Sequence, residues 1–255
     1  MKFIGIIPAR YASSRFPGKA LFVIEGKTMI QRVYEQAKKA NILDDVFVAT
    51  DDASIENHVK NFGGKAIMTS ADHQCGTDRC HEAFQLINKD RKYNADDVVI
   101  NIQGDEPLIN PEQIEKVASC FKNKNVEIAT LVRKMDNVDD LVSSTVMKVV
   151  IDKNKKAMYF SRSPIPYFRG LDKAQWLKKH DYYQHIGIYA YKASVLNEIH
   201  LLSPSSLEKV ESLEQLRWLE NGYPIHVEFT EHTSHSVDVP EDVNKIIQLL
   251  NQPKN

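Results

Sequence analysis

The chain has 255 residues, 42% of them hydrophobic, which fits one large α/β domain with a substantial core. Lys and Arg number 33 against 34 Asp and Glu, a formal charge of -1 that argues against a general nucleic-acid binder or a membrane-surface protein. Cys75, Cys80 and Cys120 lack C-x-x-C spacing and read as reduced thiols of a cytoplasmic protein, and no apolar run has the length of a signal-peptide core or a membrane span.

Strand and helix patterns alternate through the first half. Phe3–Ile7 reads as a buried strand. Met29–Ala40 repeats apolar residues at helical spacing (Met29, Ile30, Val33, Ala37). Val46–Thr50 is a second strand, Ile55–Phe62 a helix closed by Gly63-Gly64, Lys65–Met68 a short strand and Asp78–Ile87 a helix. Val98–Ile102 is an apolar strand running into Gln103-Gly104-Asp105-Glu106-Pro107, and Pro111 starts the next helix. β-branched runs separated by amphipathic helices predict a mainly parallel, Rossmann-like sheet covered on both faces.

The rhythm changes after residue 126. Val126–Val132, Val146–Ile151, Ala157–Phe160 and Ile186–Tyr191 read as strands without long helices between them. This predicts an inserted, more antiparallel lid or dimerisation region, roughly 133–200, within a single domain. Phe168–Asp181 is polar and reads as loop. Leu207–Glu220 reads as one helix, Ile225–Phe229 as a late strand and Pro240–Leu250 as the last helix.

In open parallel sheets, ligands sit beyond the C-terminal strand ends. Three polar clusters fall there. The first, Arg10 to Lys19, puts Arg10, Arg15 and Lys19 in a compact loop with small residues and Pro17-Gly18. Such a loop suits a polyphosphate, because cations and backbone N–H groups converge on several oxygens; a solvated basic turn is the alternative. It is neither a Walker A loop nor a dinucleotide fingerprint. The second, Gln103-Gly104-Asp105, offers a rigid carboxylate suited to magnesium beside a phosphate loop, or simply a turn former before Pro107. The third is Gly76-Thr77-Asp78-Arg79.

Asp238 precedes the last helix and is a second acidic position, with helix capping as its bland role. His232 and His235 nearby lack a third imidazole, so a histidine metal site is not expected. Strand alternation puts His185, Gly187 and Tyr189 on one face; with Arg162 they suit an acidic, hydroxylated ligand or form a partly buried polar face. Glu211, Glu214 and Gln215, at i, i+3 and i+4 of the Leu207–Glu220 helix, share a face that could accept sugar hydroxyls or be merely solvated.

The segments IIPARYASSRFPGK (6–19), VATD (48–51), TSADHQCGTDR (69–79), NIQGDEP (101–107), FSRSPIP (160–166), HIGIYAY (185–191), LEKVESLEQLR (207–217) and VDVPED (237–242) together resemble the 3-deoxy-manno-octulosonate (Kdo) cytidylyltransferases, over essentially the whole chain. The resemblance implies a nucleotidyltransferase that takes CTP and Kdo, needs magnesium, forms CMP-Kdo for lipopolysaccharide synthesis and is a homodimer. It implies that Arg10, Arg15 and Lys19 hold the triphosphate and that Asp105 and Asp238 hold magnesium. Pro8, Gly76 and Arg79 would belong to the nucleotide-binding segments. Gln103, Arg162, His185, Tyr189, Glu211, Glu214 and Gln215 would line the sugar pocket. Lys19, Arg10 and Asp105 would carry the catalysis. Cys75 departs from the pattern, standing where a Ser is usual; a thiol is a poorer hydrogen-bond partner. Ala-Arg-Tyr after the first strand differs from the Ala-Arg-Gly-Gly-Ser of the sialate synthetases, the nearest rival reading. The other is a nucleotide-binding regulator that has lost catalysis.

Overall fold

The computed structural model describes residues 1–13 and 15–252; Ser14, inside the cationic loop, lies outside the described residues. In chain order the elements are β1 (Phe3–Ala9), the hairpin β2 (Val23–Ile24) and β3 (Lys27–Thr28), α1 (Met29–Ala37), β4 (Asp45–Thr50), α2 (Ala53–Asn61), β5 (Ala66–Met68), α3 (Gly76–Arg91), β6 (Val98–Asn101) and α4 (Pro111–Ser119). Then follow β7 (Ile128–Lys134), α5 (Val138–Val142), β8 (Lys148–Ile151), β9 (Ala157–Ser161), α6 (Trp176–Lys179), β10 (Tyr183–Lys192), α7 (Ala193–Ile199), α8 (Ser206–Glu211), α9 (Gln215–Glu220), β11 (Ile225–Phe229) and α10 (Asp242–Leu250).

The main sheet has the order β11-β7-β10-β6-β1-β4-β5. β1 pairs in parallel with β4 and β6, β4 with β5, and β7 with β11; β10 alone runs against its neighbours β6 and β7. The sheet is therefore mainly parallel, as expected. Its strands are apolar on both faces because helices cover both. One face packs Ile7, Val48 and Ile100 against α1 and α4, through Ile30, Val33, Ile114 and Val117. The other packs Ile6, Ala49 and Val99 against α3 and α7, through Phe84, Ile87 and Leu196. Helix starts follow local chemistry: Thr28 Oγ1 accepts from Gln31 N at α1, Asp52 caps α2, and Asn110 with Gln113 closes a capping box at α4, each cap worth about 1 kcal/mol.

Two local expectations need correction. The polar stretch 168–181 is not all loop: a 3₁₀ turn leads into α6, because Trp176 is fully buried against Met135, Leu141 and Tyr182. The stretch 207–220 is not one helix. Ser212 turns left-handed (φ 51) and splits it into α8 and α9, braced by the Arg217–Glu208 ion pair at 2.6 Å. The region expected at 133–200 contains β10, which sits in the middle of the main sheet; the excursion between β7 and β10 carries the antiparallel β8–β9 hairpin, which joins the same sheet where β8 pairs with β10.

Candidate active site

The ends of β1 and β6 and the start of α3 meet at one open cleft. It is lined by Pro8, Arg10, Arg15, Lys19, Gly76, Arg79, Gln103, Asp105 and Asp238, together with Ser13, His73, Gln74 and Cys75. All three polar clusters found at strand ends thus face one space. The approach of β6 to β1 is close: a Cβ on Gly104 would lie 2.5 Å from the Pro8 carbonyl oxygen. That is a steric reason for glycine at 104. Gly104→Ala is expected to force the two strand ends apart and cost about 1–3 kcal/mol of stability, read by chemical denaturation. The cleft residues on both strand ends move with it, so turnover falls even where the protein stays folded.

The cationic loop is compact for identifiable reasons. The Tyr11 carbonyl accepts from both Ser13 N and Gly18 N, and Gly18 takes the left-handed conformation (φ 72) that turns the chain into the 3₁₀ turn beginning at Lys19. Phe16 anchors the loop from below. It is buried with Ile24, Met29, Val237, Val243 and Ile246, so the loop, the β2–β3 hairpin, α1 and α10 share one small core. This core carries Asp238 from the far end of the chain into the cleft.

Lys19 Nζ lies 2.7 Å from Asp105 Oδ2 and donates to the Val237 carbonyl at 2.8 Å, while Val237 N donates to the Asp105 carbonyl at 2.9 Å. Arg15 pairs with Asp238 at 2.9 Å. The first pair is mostly shielded (side chains 16% and 27% exposed), and the second is open (65% and 46%), so only the first can matter much to stability. The bland roles are filled by other groups. α10 has no side-chain cap from Asp238; instead the Asp242 carboxylate accepts from the backbone N–H groups of Asp238 and Val239. The Asp105 carboxylate faces Lys19, and the Gln103–Glu106 turn in which Asp105 lies is closed by backbone alone, Glu106 N donating to the Gln103 carbonyl. Both carboxylates are left for the cleft. His232 is held by Asn110 and Glu112, and no cluster of three metal-ligating side chains occurs among the described residues.

The loop before α3 forms the opposite wall. Arg79 lines the cleft, but its guanidinium is buried and committed: 2.7 Å to Asp51, 2.7 Å to the Thr69 hydroxyl and 3.2 Å to the Ser70 carbonyl. It ties the ends of β4 and β5 to α3 and so shapes the wall. Cys75 caps α3, accepting from Asp78 N at 3.5 Å and donating to Glu214 Oε1 at 3.3 Å. Burial, then the Glu214 charge, push its thiol well above the ordinary range, so it stays protonated.

The remaining sugar-pocket candidates do not line the open cleft. Arg162 points its guanidinium at the carbonyls of Ser144, Glu211 and Ser212. Glu211 accepts from the Ser161 hydroxyl and Arg162 N, whereas Glu214, beyond the break at Ser212, faces Cys75. Glu211, Glu214 and Gln215 therefore do not share a helix face, contrary to the spacing argument. Gln215 is buried at the start of α9. His185 and Tyr189 do share a sheet face, with ring centroids 5.1 Å apart, and Tyr189 lies opposite Asn101 of β6. Asn101 Oδ1, His185 Nδ1 and the Tyr189 hydroxyl are all buried without a hydrogen-bond partner. Each such group costs about 1–3 kcal/mol if nothing satisfies it. A patch of unmet polar atoms beside the cleft is what a hydroxyl-rich ligand would complete. Asn101 opens the NIQGDEP segment, and its strand-end position two residues before Gln103 is the sequence signal that points to it.

Lys148 had no signal in the sequence. It is fully buried in β8, and its ammonium donates to the carbonyls of Ser143, Val146 and Arg162, so it knots the excursion to the end of β9.

Burial alone pushes His185 down to about 3. An unfolded chain binds a proton at about 6.5, so the folded state loses stability as pH falls from there toward 3. The expected cost is about 2 kcal/mol by pH 5. Chemical denaturation at pH 7 and pH 5 should show it in the native chain, and His185→Gln should flatten the difference.

A family model described as Cytidylyltransferase matches residues 4–231. The chain is 57% identical over 254 residues to the 3-deoxy-manno-octulosonate cytidylyltransferase of Parabacteroides distasonis, covering 98% of each, and 54% identical to that of Phocaeicola vulgatus over 99% of this chain and 98% of the relative. Among solved structures it is similar to a CMP:2-keto-3-deoxy-manno-octonic acid synthetase complexed with CTP, at 41% identity and a TM-score of 0.88, over 98% of each chain. With a strand-end cleft that gathers Lys19, Asp105 and Asp238, and identity of this degree along its whole length, the chain belongs to the 3-deoxy-manno-octulosonate cytidylyltransferase family.

Proposed function

We propose that the protein transfers the cytidylyl group of CTP to 3-deoxy-manno-octulosonate, giving CMP-Kdo and pyrophosphate, as a cytoplasmic step of lipopolysaccharide synthesis. The observation that carries this reading is the convergence of Lys19, Asp105 and Asp238 in one cleft, in a chain this similar to enzymes of that name. The anomeric hydroxyl of the sugar attacks the α-phosphorus and pyrophosphate leaves in line, a reaction that depends mainly on positioning and charge.

The residues divide the work. Pro8, Gly76 and the wall shaped by Arg79 receive the nucleotide. Arg10, Arg15 and Lys19 meet the triphosphate, and Lys19 with Arg10 neutralises the charge that builds on the leaving pyrophosphate. Lys19 and Arg15 also pair with Asp105 and Asp238. Those two carboxylates fit magnesium: an all-oxygen pair, both open to the cleft, with phosphate and water left to complete the shell. Magnesium held there would supply Lewis-acid charge and make the attacking hydroxyl more acidic. Gln103 and the patch of Asn101, His185 and Tyr189 receive the sugar. Arg162, Glu211, Glu214 and Gln215 brace that pocket from α8, α9 and the end of β9.

A homodimer, with the excursion between β7 and β10 as lid and contact surface, belongs to the same reading. It is supported by large apolar side chains left exposed on the excursion and on α8: Met158 (64%), Tyr167 (74%) and Val210 (82%).

The test is kcat/KM for several sugars at saturating CTP, read by pyrophosphate release. Kdo is expected to be preferred over N-acetylneuraminate or a neutral hexose by roughly 10⁴-fold, since a pocket built for particular hydroxyls is left with unpaired groups by the wrong sugar. A preference for N-acetylneuraminate would move the protein to the sialate synthetases. No release with any acidic sugar would favour the non-catalytic regulator.

A further inference from the structure

β10 is not a regular strand. Its pairing with β7 jumps from Ile186↔Leu131 to Tyr189↔Thr130, so Gly187 and Ile188 bulge from the ladder. Bulged residues lose their ladder partners. One side chain meets them here. Thr130 Oγ1 lies 2.7 Å from the Ile188 carbonyl oxygen and 3.3 Å from that of Ile186. The same hydroxyl lies 2.8 Å from Nε2 of His185. Thr130 is fully buried, so bulk water does not compete for it.

The protons can be counted. A hydroxyl has one, and a carbonyl oxygen only accepts. At 2.7 Å, a separation typical of O–H···O bonds, the proton of Thr130 must lie toward Ile188; otherwise two oxygens would face each other with lone pairs alone. Toward His185, Thr130 is then an acceptor, and Nε2 must carry a hydrogen. The ring is neutral, because burial makes the imidazolium costly. A neutral ring protonated at Nε2 has a bare Nδ1, and this Nδ1 is the atom found buried and without a partner.

We infer that Thr130 is a positioning residue: it holds His185 in the Nε2–H tautomer, so that the ring offers a bare Nδ1 which a hydroxyl of the sugar satisfies by donating. This rests on the sugar reading above and adds the polarity of one contact. His185 is an acceptor, and it is too weakly basic at neutral pH to be the general base. Any sugar analogue that replaces that hydroxyl with a group lacking a proton leaves Nδ1 unpaired.

The experiment is two-bond ¹H–¹⁵N correlation spectroscopy of the imidazoles in the full-length protein, native and with Thr130→Val or Thr130→Ser, alongside KM for Kdo and for CTP. In the native chain at pH 7, His185 should show a protonated Nε2 and a bare Nδ1 whose resonance shifts when Kdo is added. Thr130→Ser keeps the hydroxyl and should keep both features. Thr130→Val should give mixed tautomers and raise KM for Kdo by roughly tenfold, with KM for CTP within about twofold. A merely structural threonine would change neither the tautomer nor the ratio of the two KM values. A native Nδ1–H tautomer, an imidazolium at pH 7, or a valine variant with tautomer and KM for Kdo unchanged would overturn the inference. If Thr130→Val does not fold, the native and serine spectra decide it. No turnover or binding of any acidic sugar, with the tautomer as expected, would overturn the hydroxyl partner and the reading of the pocket while leaving the Thr130–His185 assignment standing.

Discussion

Asp105→Asn is expected to lower kcat by roughly a thousandfold or more while the protein stays folded. The side chain sits where β6 ends, 2.7 Å from Lys19, and the main chain on either side is held by Val237 and by the close approach of Gly104 to Pro8. An amide can still accept from Lys19, so the local structure survives; what is lost is the negative charge. Asp238→Asn removes the other carboxylate from an exposed pair with Arg15, and its effect on stability should stay within about 0.5 kcal/mol. Turnover should nevertheless fall comparably, because Asp238 neither caps α10 nor contributes to the core. A measurement independent of activity separates a metal role from a general one. Magnesium should raise the melting temperature of the native protein in the presence of CTP, and do so much less in either variant. Normal turnover of both variants, or activity unchanged after exhaustive chelation, would refute the assignment.

Lys19→Ala is expected to lower kcat by roughly a hundred- to a thousandfold, comparable to losing one donor that meets developing charge. KM for CTP should change less, because the cations Arg10 and Arg15 remain in the cleft. The same change leaves Asp105 and the Val237 carbonyl without their shared partner. Stability should therefore drop by about 1–3 kcal/mol, of which a double-mutant cycle with Asp105→Asn would isolate the part owed to the ion pair. Lys19→Arg tests geometry, since a planar fork cannot reproduce the compact ammonium between the Asp105 carboxylate and the Val237 carbonyl. A raised KM with unchanged kcat would make Lys19 a binding contact without a part in the chemical step.

The sequence by itself determined the layered α/β architecture and the open cleft. Apolar runs such as Phe3–Ile7 and Val98–Ile102, short and rich in β-branched residues, read as strands buried on both faces, and each hands its polar sequel to the same sheet edge. Arg10, Lys19, Gly76, Gln103 and Asp105 were legible for that reason, each lying within a short span of a strand end. Helical periodicity was less reliable where the backbone could break. Glu211 and Glu214 fit one face of an ideal helix, but a left-handed Ser212 sends one to the end of β9 and the other to Cys75. Periodicity cannot foresee a break whose stabilisation comes from a long-range pair such as Arg217–Glu208 and from burial of Leu213 and Leu216. Tertiary structure alone decided which polar side chains are spent on the fold. Arg162 reads as a ligand cation and Arg79 as part of a nucleotide-binding segment, yet their donors are taken by Asp51, Thr69 and backbone carbonyls. Lys148 and Thr130 read as ordinary strand residues, yet each is fully buried and must find partners there: three carbonyls for Lys148, a bulge and an imidazole for Thr130. The proximity of Asp238 to Asp105 was likewise beyond any local pattern. It follows from Phe16, Val237 and Val243 sharing one apolar core, a non-directional attraction between segments more than two hundred residues apart.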